Sequence, residues 1–541
     1  MRIKIDRKSR QPMYWQIADA IKRAILNGEL ADGVVLPSER GLAGQLEVHR
    51  NTVIRAYHCL EEMELVVARQ GVGYMVARGT EHHWGDAAHQ AVAPRRGWKQ
   101  VHFSGEEPAE EHDRSGEEVR RSNAHGAGSG EHRSRPRPVN WRHMIKDDYL
   151  DMKEEFDAIF SKFYEGEGIS FSAGMPPFVY TEEELATDIA DLLKESEMLP
   201  AYAAPYQGDP DLRKQCREFL RTKGIRCKAS EIQVLSETNQ ALDFIVTTLL
   251  EPGDCVIIEE PCSPDVYRGI ELAGCFPITM PVDGDGMMTE GLADIVEKRR
   301  PKFIYVNSSY QDPTGNVMTV ERRRNLLDVS ARFGVPIIEE DGASELYYED
   351  SEFPTLKSMD EHNNVVYIYS FALTFVPGIS VAVVVGDPVL IHAMQYLVSV
   401  RVISIGWLTQ RLVARYLKNG KYRAKIDEMV VHNRQNRDIM CAALDELRDI
   451  GVEYTKPRGG VYIWVKLPDG LDAEQVVRRA AKEKLAVVPG NVFYPLRNAG
   501  RDHVRLNYSY ESTEWLLEGV HRFTKLLRTM YMESVNLFEY I

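Results

Sequence analysis

Val365-Val366-Tyr367-Ile368 runs directly into Tyr369-Ser370-Phe371-Ala372-Leu373-Thr374-Phe375-Val376-Pro377-Gly378-Ile379-Ser380. The first four residues form a short apolar run rich in β-branched and aromatic side chains, which reads as a buried strand. Pro377-Gly378 marks a turn in the loop that follows. Further runs of this kind are Ile232-Gln233-Val234-Leu235, Cys255-Val256-Ile257-Ile258, Phe303-Ile304-Tyr305-Val306 and Pro336-Ile337-Ile338. Helical patterns separate most of them, and this alternation predicts an α/β fold with a mainly parallel sheet. Ligands of such sheets bind beyond the carboxyl ends of the strands. The segment from Tyr369 to Ser380 is therefore a place to look for a site.

The chain has 541 residues, enough for two or three domains, and 44% hydrophobic and 27% charged residues describe an ordinary globular protein. Its formal net charge is −15, which excludes a whole surface made for nucleic acid. The first 78 residues differ, with twelve Lys/Arg against nine Asp/Glu. Seven scattered cysteines without a CxxC pair read as reduced thiols, with no metal site expected. The N-terminus carries no apolar signal core, and no run of eighteen apolar residues occurs. A cytoplasmic location and no membrane contact are the expectation.

Outward from the opening stretch, a series of short motifs appears in order. They are Phe171-Ser172-Ala173-Gly174-Met175-Pro176, Tyr206-Gln207-Gly208-Asp209-Pro210, Thr238-Asn239-Gln240-Ala241-Leu242, Glu260-Pro261, Asp312-Pro313-Thr314-Gly315 and Glu339-Glu340-Asp341. Pro457-Arg458-Gly459-Gly460, Val488-Pro489-Gly490 and Val504-Arg505-Leu506-Asn507 follow the opening stretch. With these landmarks, residues 147–541 resemble a class I/II aminotransferase of the fold-type I, pyridoxal-phosphate (PLP)-dependent transferase kind. The resemblance implies PLP as cofactor and an invariant amine in the loop at Tyr369–Ser380. Leu373 stands at that lysine position and Ser380 at the position of a phosphate-binding arginine. A Schiff base needs an amine, so no covalent aldimine is expected and no catalytic residue is assigned.

The resemblance carries the rest of the pocket residue by residue. Of the phosphate donors at Ser370, Ala372 and Ser380, Ser370 alone matches in type a side chain that the family uses there. Thr238 and Asn239 fall at a strand-to-helix turn able to hold an anion. Glu237 replaces the usual glycine before them. Glu340 replaces the aspartate that pairs with the pyridine nitrogen, Gly342 replaces a tyrosine, Ser263 a stacking aromatic, and Asp312 an asparagine or apolar residue. Arg505 matches the arginine that grips a substrate carboxylate, a bidentate task that lysine does not reproduce. Its alternative is an ion pair with Glu340 or Asp312. Tyr202 and Tyr206 match positions that reach the partner's cofactor. This degenerate pocket leaves room for a carboxylate-bearing small-molecule effector.

The N-terminal 78 residues read as three helices and a hairpin. Tyr14, Ile17, Ile21 and Ile25 recur at helical spacing after Pro12, and Ser38 is an N-cap for a helix over 39–47. Val53, Ala56, Tyr57 and Leu60 form the apolar stripe of a third helix, with Arg50, Asn51 and Thr52 at its exposed start. Two helices joined by a tight turn make a helix-turn-helix, and the Gly-rich tip Arg69-Gln70-Gly71-Val72-Gly73 joins the strands of a wing. Leu36-Pro37-Ser38-Glu39-Arg40, Arg50-Asn51-Thr52-Val53 and Gln70-Gly71-Val72-Gly73 give this region its resemblance to the winged helix of GntR-type regulators. The resemblance places double-stranded DNA against Ser38, Arg40, His49, Arg50, Asn51, Thr52, Gln70 and Gly71. Arginine can grip phosphate or read guanine, and asparagine can read adenine.

Residues 79–146 are rich in Gly, Glu, His, Arg and Ser without apolar periodicity, which reads as a flexible linker. The order of head, linker and body resembles the MocR-like subfamily of GntR regulators. It implies a homodimeric transcription regulator whose body dimerises and senses an effector, with no transamination expected because Leu373 stands at the lysine position. The rival expectation is an active PLP-dependent aminotransferase fused to a DNA-binding head.

Overall fold

The computed structural model describes residues 3, 13–26, 30, 31, 33–46, 48, 50–62, 65–69, 73–77, 141–145, 168–177, 179–195, 205–349, 353–379, 381–496 and 499–538. The chain divides into two units, residues 1–150 and 151–541.

In the first unit, helices Met13–Leu26, Glu39–Leu46 and Arg50–Glu62 precede a hairpin of Val66–Arg69 and Gly73–Val76. The hairpin is antiparallel, with Val66 opposite Val76. The expected apolar stripes all turn inward. Ile17, Ile21 and Ile25 meet Leu42, Val53, Ala56, Tyr57 and Leu60 in one core with Val66 and Val76. Val35 bridges Met75, and the Leu36 N–H donates to the Tyr74 carbonyl at 2.8 Å, so the segment before the second helix is fastened to the wing. Ser38 caps that helix, its hydroxyl accepting from the Gly41 N–H at 3.2 Å.

Trp141–Met144 form a helical turn inside the span read as linker. The composition argument averages over the whole span and misses one local apolar pair. Linker residues 79–140 and 146 lie outside the described residues.

The second unit is built on an eight-stranded sheet. Its order is Ile232–Leu235, Ala382–Val385, Val365–Ser370, Ile337–Asp341, Ile304–Val306, Cys255–Glu260, Phe276–Asp283 and Gly286–Met287. The strands from Val365–Ser370 to Phe276–Asp283 pair in parallel. Ala382–Val385 runs antiparallel to both of its neighbours, and Gly286–Met287 antiparallel to its one. The side-chain alternation of a strand divides the core. Tyr367, Tyr369 and Val383 face one cluster with Leu212, Leu412 and Met429, while Val366, Ile368 and Val384 face another with Phe244, Tyr267 and Ile391. Helices therefore cover both faces, as buried parallel strands require. A smaller antiparallel sheet of Glu453–Tyr454, Tyr462–Lys466, His503–Asn507 and Val488–Pro489 packs with helices Ala473–Lys482 and Thr513–Phe538.

Among the described residues, no helix is long and apolar enough to cross a membrane. The seven cysteines are free thiols.

Candidate functional site

In the head, Glu39 and Arg50 are the first residues of successive helices. Arg50 Nε and Nη2 both donate to Glu39 Oε2, at 2.9 and 2.6 Å. The pair is partly exposed, so it is worth about 0–1 kcal/mol and releases Arg50 to a competing phosphate or base edge at small cost. Arg40 is exposed beside it. Thr52 corrects the sequence reading: it is 7% exposed, because the helix turns it inward beside Val53. Asn51 lies in the helix, while its side chain is outside what is described; His49, Gln70 and Gly71 lie outside the described residues. Sequence reasoning missed Arg55, whose guanidinium lies 4.2 Å from the Tyr14 ring centre and ties the first helix to the third.

In the body, Ser370, Glu340 and Arg505 lie in strands, and Asp312 and Leu373 in the loops that follow strands. Arg505 sits on His503–Asn507 and is buried. Its Nη1 donates to both Asp312 oxygens, at 2.8 and 3.0 Å, and its Nη2 to the Ser172 carbonyl at 3.0 Å. The guanidinium lies 4.2 Å from the Tyr462 ring centre and 5.1 Å from that of Phe493. Of the alternatives that the sequence left open for Arg505, the folded chain takes the ion pair with Asp312.

The segment carrying Asp312 is locally strained. Tyr310 holds a φ of 54°, which is rare for a bulky residue. Its ring packs so closely on Gly459 and Gly460 that a Cβ on Gly459 would come within 2.3 Å of the ring, and one on Gly460 within 2.6 Å of the Tyr310 Cβ. The glycine pair thus makes room for this turn.

Thr238 opens the helix Thr238–Leu249, and Glu237 stands at its N-cap without a capping bond to that helix. Burial raises the pKa of Glu237, and Ser370 nearby favours its charged form. Ser370 Oγ accepts from the Ala372 N–H at 3.2 Å. Asn239 reaches Asp265 at 3.4 Å. Leu373 is half-buried, and its Cδ1 would be 3.7 Å from a Cβ placed on Gly342. Ser263 caps Pro264–Leu272 by position, with no side-chain bond. Tyr206 is exposed, and Tyr202 and Ser380 lie outside the described residues.

Glu340 accepts a hydrogen bond from the Tyr305 hydroxyl, and burial pushes its carboxyl up to about 7. Its neighbour Asp341 points to the other face, where it accepts from Tyr367 at 2.5 Å and Ser344 at 2.6 Å. Lys223 is the lysine among the buried described residues. It is held by Ser344 and Glu345, both at 2.5 Å, in that second network. Tyr305, Tyr462 and Phe493 were missed by the sequence reading, because buried aromatic residues look like ordinary core.

Glu259 is buried beside this group, and desolvation lifts it to about 8. With folded-state values of about 8 and about 7, Glu259 and Glu340 bind more protons folded than unfolded above pH 4.5. Stability then falls as pH rises from that value through the folded ones. Melting curves of the full chain should shift to lower temperature between about pH 5 and about pH 8, and Glu259→Gln should flatten the trend. A melting temperature that climbs through this window would refute the assignment.

At the place for a cofactor phosphate, Thr238 and Ser370 would hold the anion, while Glu237 at the N-cap adds a carboxylate beside them and Leu373 offers no amine. Among the described residues, no group of His, Cys, Asp or Glu could hold a metal ion.

The family signature "Aminotransferase class I and II" matches residues 168–523, and "Bacterial regulatory proteins, gntR family" matches residues 13–76. The chain is 30% identical over 367 residues to 2-aminoadipate transaminase of Thermus thermophilus, covering 66% of this chain and 90% of that one. It is 25% identical over 523 residues to the uncharacterized HTH-type transcriptional regulator YdfD of Bacillus subtilis, covering 96% of this chain and 97% of that one. Among solved structures, alpha-aminoadipate aminotransferase LysN from Thermus thermophilus, complexed with N-(5'-phosphopyridoxyl)-L-leucine, is similar with a TM-score of 0.66 and 28% identity, over 72% of this chain and 99% of that one.

Proposed function

This chain belongs to the class I and II aminotransferase family and is a GntR-type regulator of the MocR-like kind, and from that premise we propose that its body joins two copies without transaminating. The head binds double-stranded DNA, in the cytoplasm, and paired heads read paired half-sites. The observation that carries the reading is Leu373 at the place of the required amine, packed beside Gly342 on a loop that otherwise keeps its frame.

The helix Pro388–Arg401 supports two copies. One face buries Ile391, Met394 and Val398 in the core. The opposite face presents Val389, Tyr396 and Val400, exposed by 79, 68 and 57%. Residues 389, 396 and 400 fall within one narrow stripe at 3.6 residues per turn. A helix apolar on both faces calls for a cover on both, and a second copy of this chain supplies it.

An effector changes DNA binding only if it prefers one arrangement of the dimer. Arg505 already holds Asp312, so a carboxylate-bearing effector must displace that side chain. The second reading, an active PLP-dependent aminotransferase, is favoured by similarity across 90% of a transaminase and opposed by Leu373.

Genome-wide mapping of bound sites tests the regulatory reading. Discrete sites containing paired half-sites are expected, and binding without site preference would sink it. Sedimentation should give a dimer for the full chain and a monomer for Tyr396→Glu/Val400→Glu; an unchanged dimer would remove this helix from the interface.

A further inference from the structure

We infer that Tyr74 and His58 are positioning residues of the DNA-binding head: their hydrogen bond fixes the wing to the helix Arg50–Glu62, so that the wing tip and Arg50 meet DNA at one set spacing. This rests on the reading above that the head binds double-stranded DNA, and it goes further by naming the side chains that set the geometry of the reader.

The wing is too small to hold its own place. Its strands, Val66–Arg69 and Gly73–Val76, have four residues each. A two-stranded hairpin standing alone is marginally stable in water at best. Val66 and Val76 anchor its base in the core of the head. The tip, Arg69-Gln70-Gly71-Val72-Gly73, offers little apolar surface for such an anchor.

Tyr74 follows that tip directly, and the helix takes hold of it there. Its ring centre lies 5.0 Å from that of Tyr57 and 6.0 Å from that of His58. Tyr57 and His58 are consecutive on the helix, so two neighbouring side chains grip one ring. The Tyr74 hydroxyl lies 3.2 Å from His58 Nε2, a hydrogen-bonding distance. Glu61 lies 3.5 Å from the other ring nitrogen, Nδ1. A carboxylate there favours a proton on Nδ1, which leaves Nε2 to accept from the tyrosine.

The clamp continues to Arg50. The Leu36 N–H donates to the Tyr74 carbonyl at 2.8 Å and the Val76 N–H to the Val34 carbonyl at 2.9 Å, so residues 34–36 run along the wing. The next carbonyl, that of Pro37, accepts from the Tyr57 hydroxyl at 2.7 Å. Two residues further on, Glu39 holds Arg50. One series of contacts thus joins the wing to the start of the helix, and the Tyr74–His58 bond closes it where both side chains are partly exposed. Packing alone would ask only for the tyrosine ring. A hydroxyl, an imidazole and a carboxylate brought together add direction, which a reader of two separated places on DNA requires. Arginine and backbone N–H groups at the tip suit phosphate, and a tip ordered in advance loses less entropy on binding.

The test uses the full chain and the DNA site recovered by genome-wide mapping. The proteins are wild type, Tyr74→Phe, His58→Leu and the double variant, with circular dichroism to show that each is folded. Tyr74→Phe keeps the ring and removes the hydroxyl. Each single variant should bind the site about 3- to 10-fold more weakly. The double variant should be no weaker than the poorer single one, because both changes remove the same bond. The slope of log affinity against log salt should become shallower as phosphate contacts of the wing are lost, while the base preference set by Arg50 stays. Wild-type affinity and slope in Tyr74→Phe overturn the inference, whether or not His58→Leu folds. Additive losses overturn it too, and so does weaker binding at an unchanged salt slope, which marks a purely structural role. Wild type without site preference would sink the regulatory reading and this inference with it; variants that match wild type on a specific site overturn this inference alone.

Discussion

Arg323→Met will lower the stability of the body by about 3–5 kcal/mol, the usual cost of breaking a buried ion pair from one side. Arg323 is fully buried on the helix Val320–Phe333. Its Nε donates to the Met318 carbonyl at 3.0 Å, its Nη1 to Ser308 Oγ at 2.6 Å and its Nη2 to the Ser308 carbonyl at 2.7 Å. The same guanidinium reaches Glu339 Oε1 at 3.4 Å. Glu339 is itself fully buried and accepts from the Leu356 and Lys357 N–H groups, each at 2.8 Å. Removing the arginine leaves this carboxylate in the core without its cation. Urea unfolding of the full chain measures the loss. Arg323→Met/Glu339→Gln should recover much of it, because the unpaired charge is then gone as well. A single variant within 1 kcal/mol of wild type would show that the pair carries little of the stability.

Arg50→Ala will weaken site-specific DNA binding by roughly 1–3 kcal/mol, about 5- to 150-fold, and relax the preference at one base position. Arg50 begins the recognition helix, at the end that enters the major groove in this motif. The Glu39 carboxylate aims the free guanidinium, and its exposure makes the exchange for a base edge inexpensive. Anisotropy titrations at one fixed salt concentration, against the mapped site and single-base variants, provide the measurement. Weaker binding with unchanged sequence preference would show that Arg50 holds phosphate and reads no base.

Among the described residues, the helices and hairpin of the head were legible, because the helices have apolar stripes at regular spacing and Ser38 is a distinctive cap. Thr52 was the exception: its polarity argued for exposure, and the helix turned it inward. The parallel strands of the body were legible as short apolar runs. Phe276–Asp283 was not, since Pro277 and Pro281 interrupt the pattern and an outer position tolerates them. Ala382–Val385 follows the decisive loop so closely that its apolar run merged with it.

For the site, residue identities told more than partners. Leu373 could be read directly as an apolar residue where the resemblance expects an amine. That Asp312 lies on Arg505 depends on segments far apart in sequence. Two readings of Arg505 therefore stood side by side until the fold brought Asp312 to it. Charge alone could not separate Glu340 from Asp341, while strand alternation sends them to opposite faces.

Tyr310 and the glycines at 459 and 460 impose a joint constraint on related chains. Any side chain at 459 meets the Tyr310 ring and also the Leu346 carbonyl, which cannot withdraw as a ring can. A relative that replaces Gly459 must therefore re-form this turn, and Asp312, two residues beyond Tyr310, moves with it. Substitutions at 310, 312 and 459 should be inherited as a set. The set marks which descendants keep the internal carboxylate on the arginine and which have opened that pocket to a ligand.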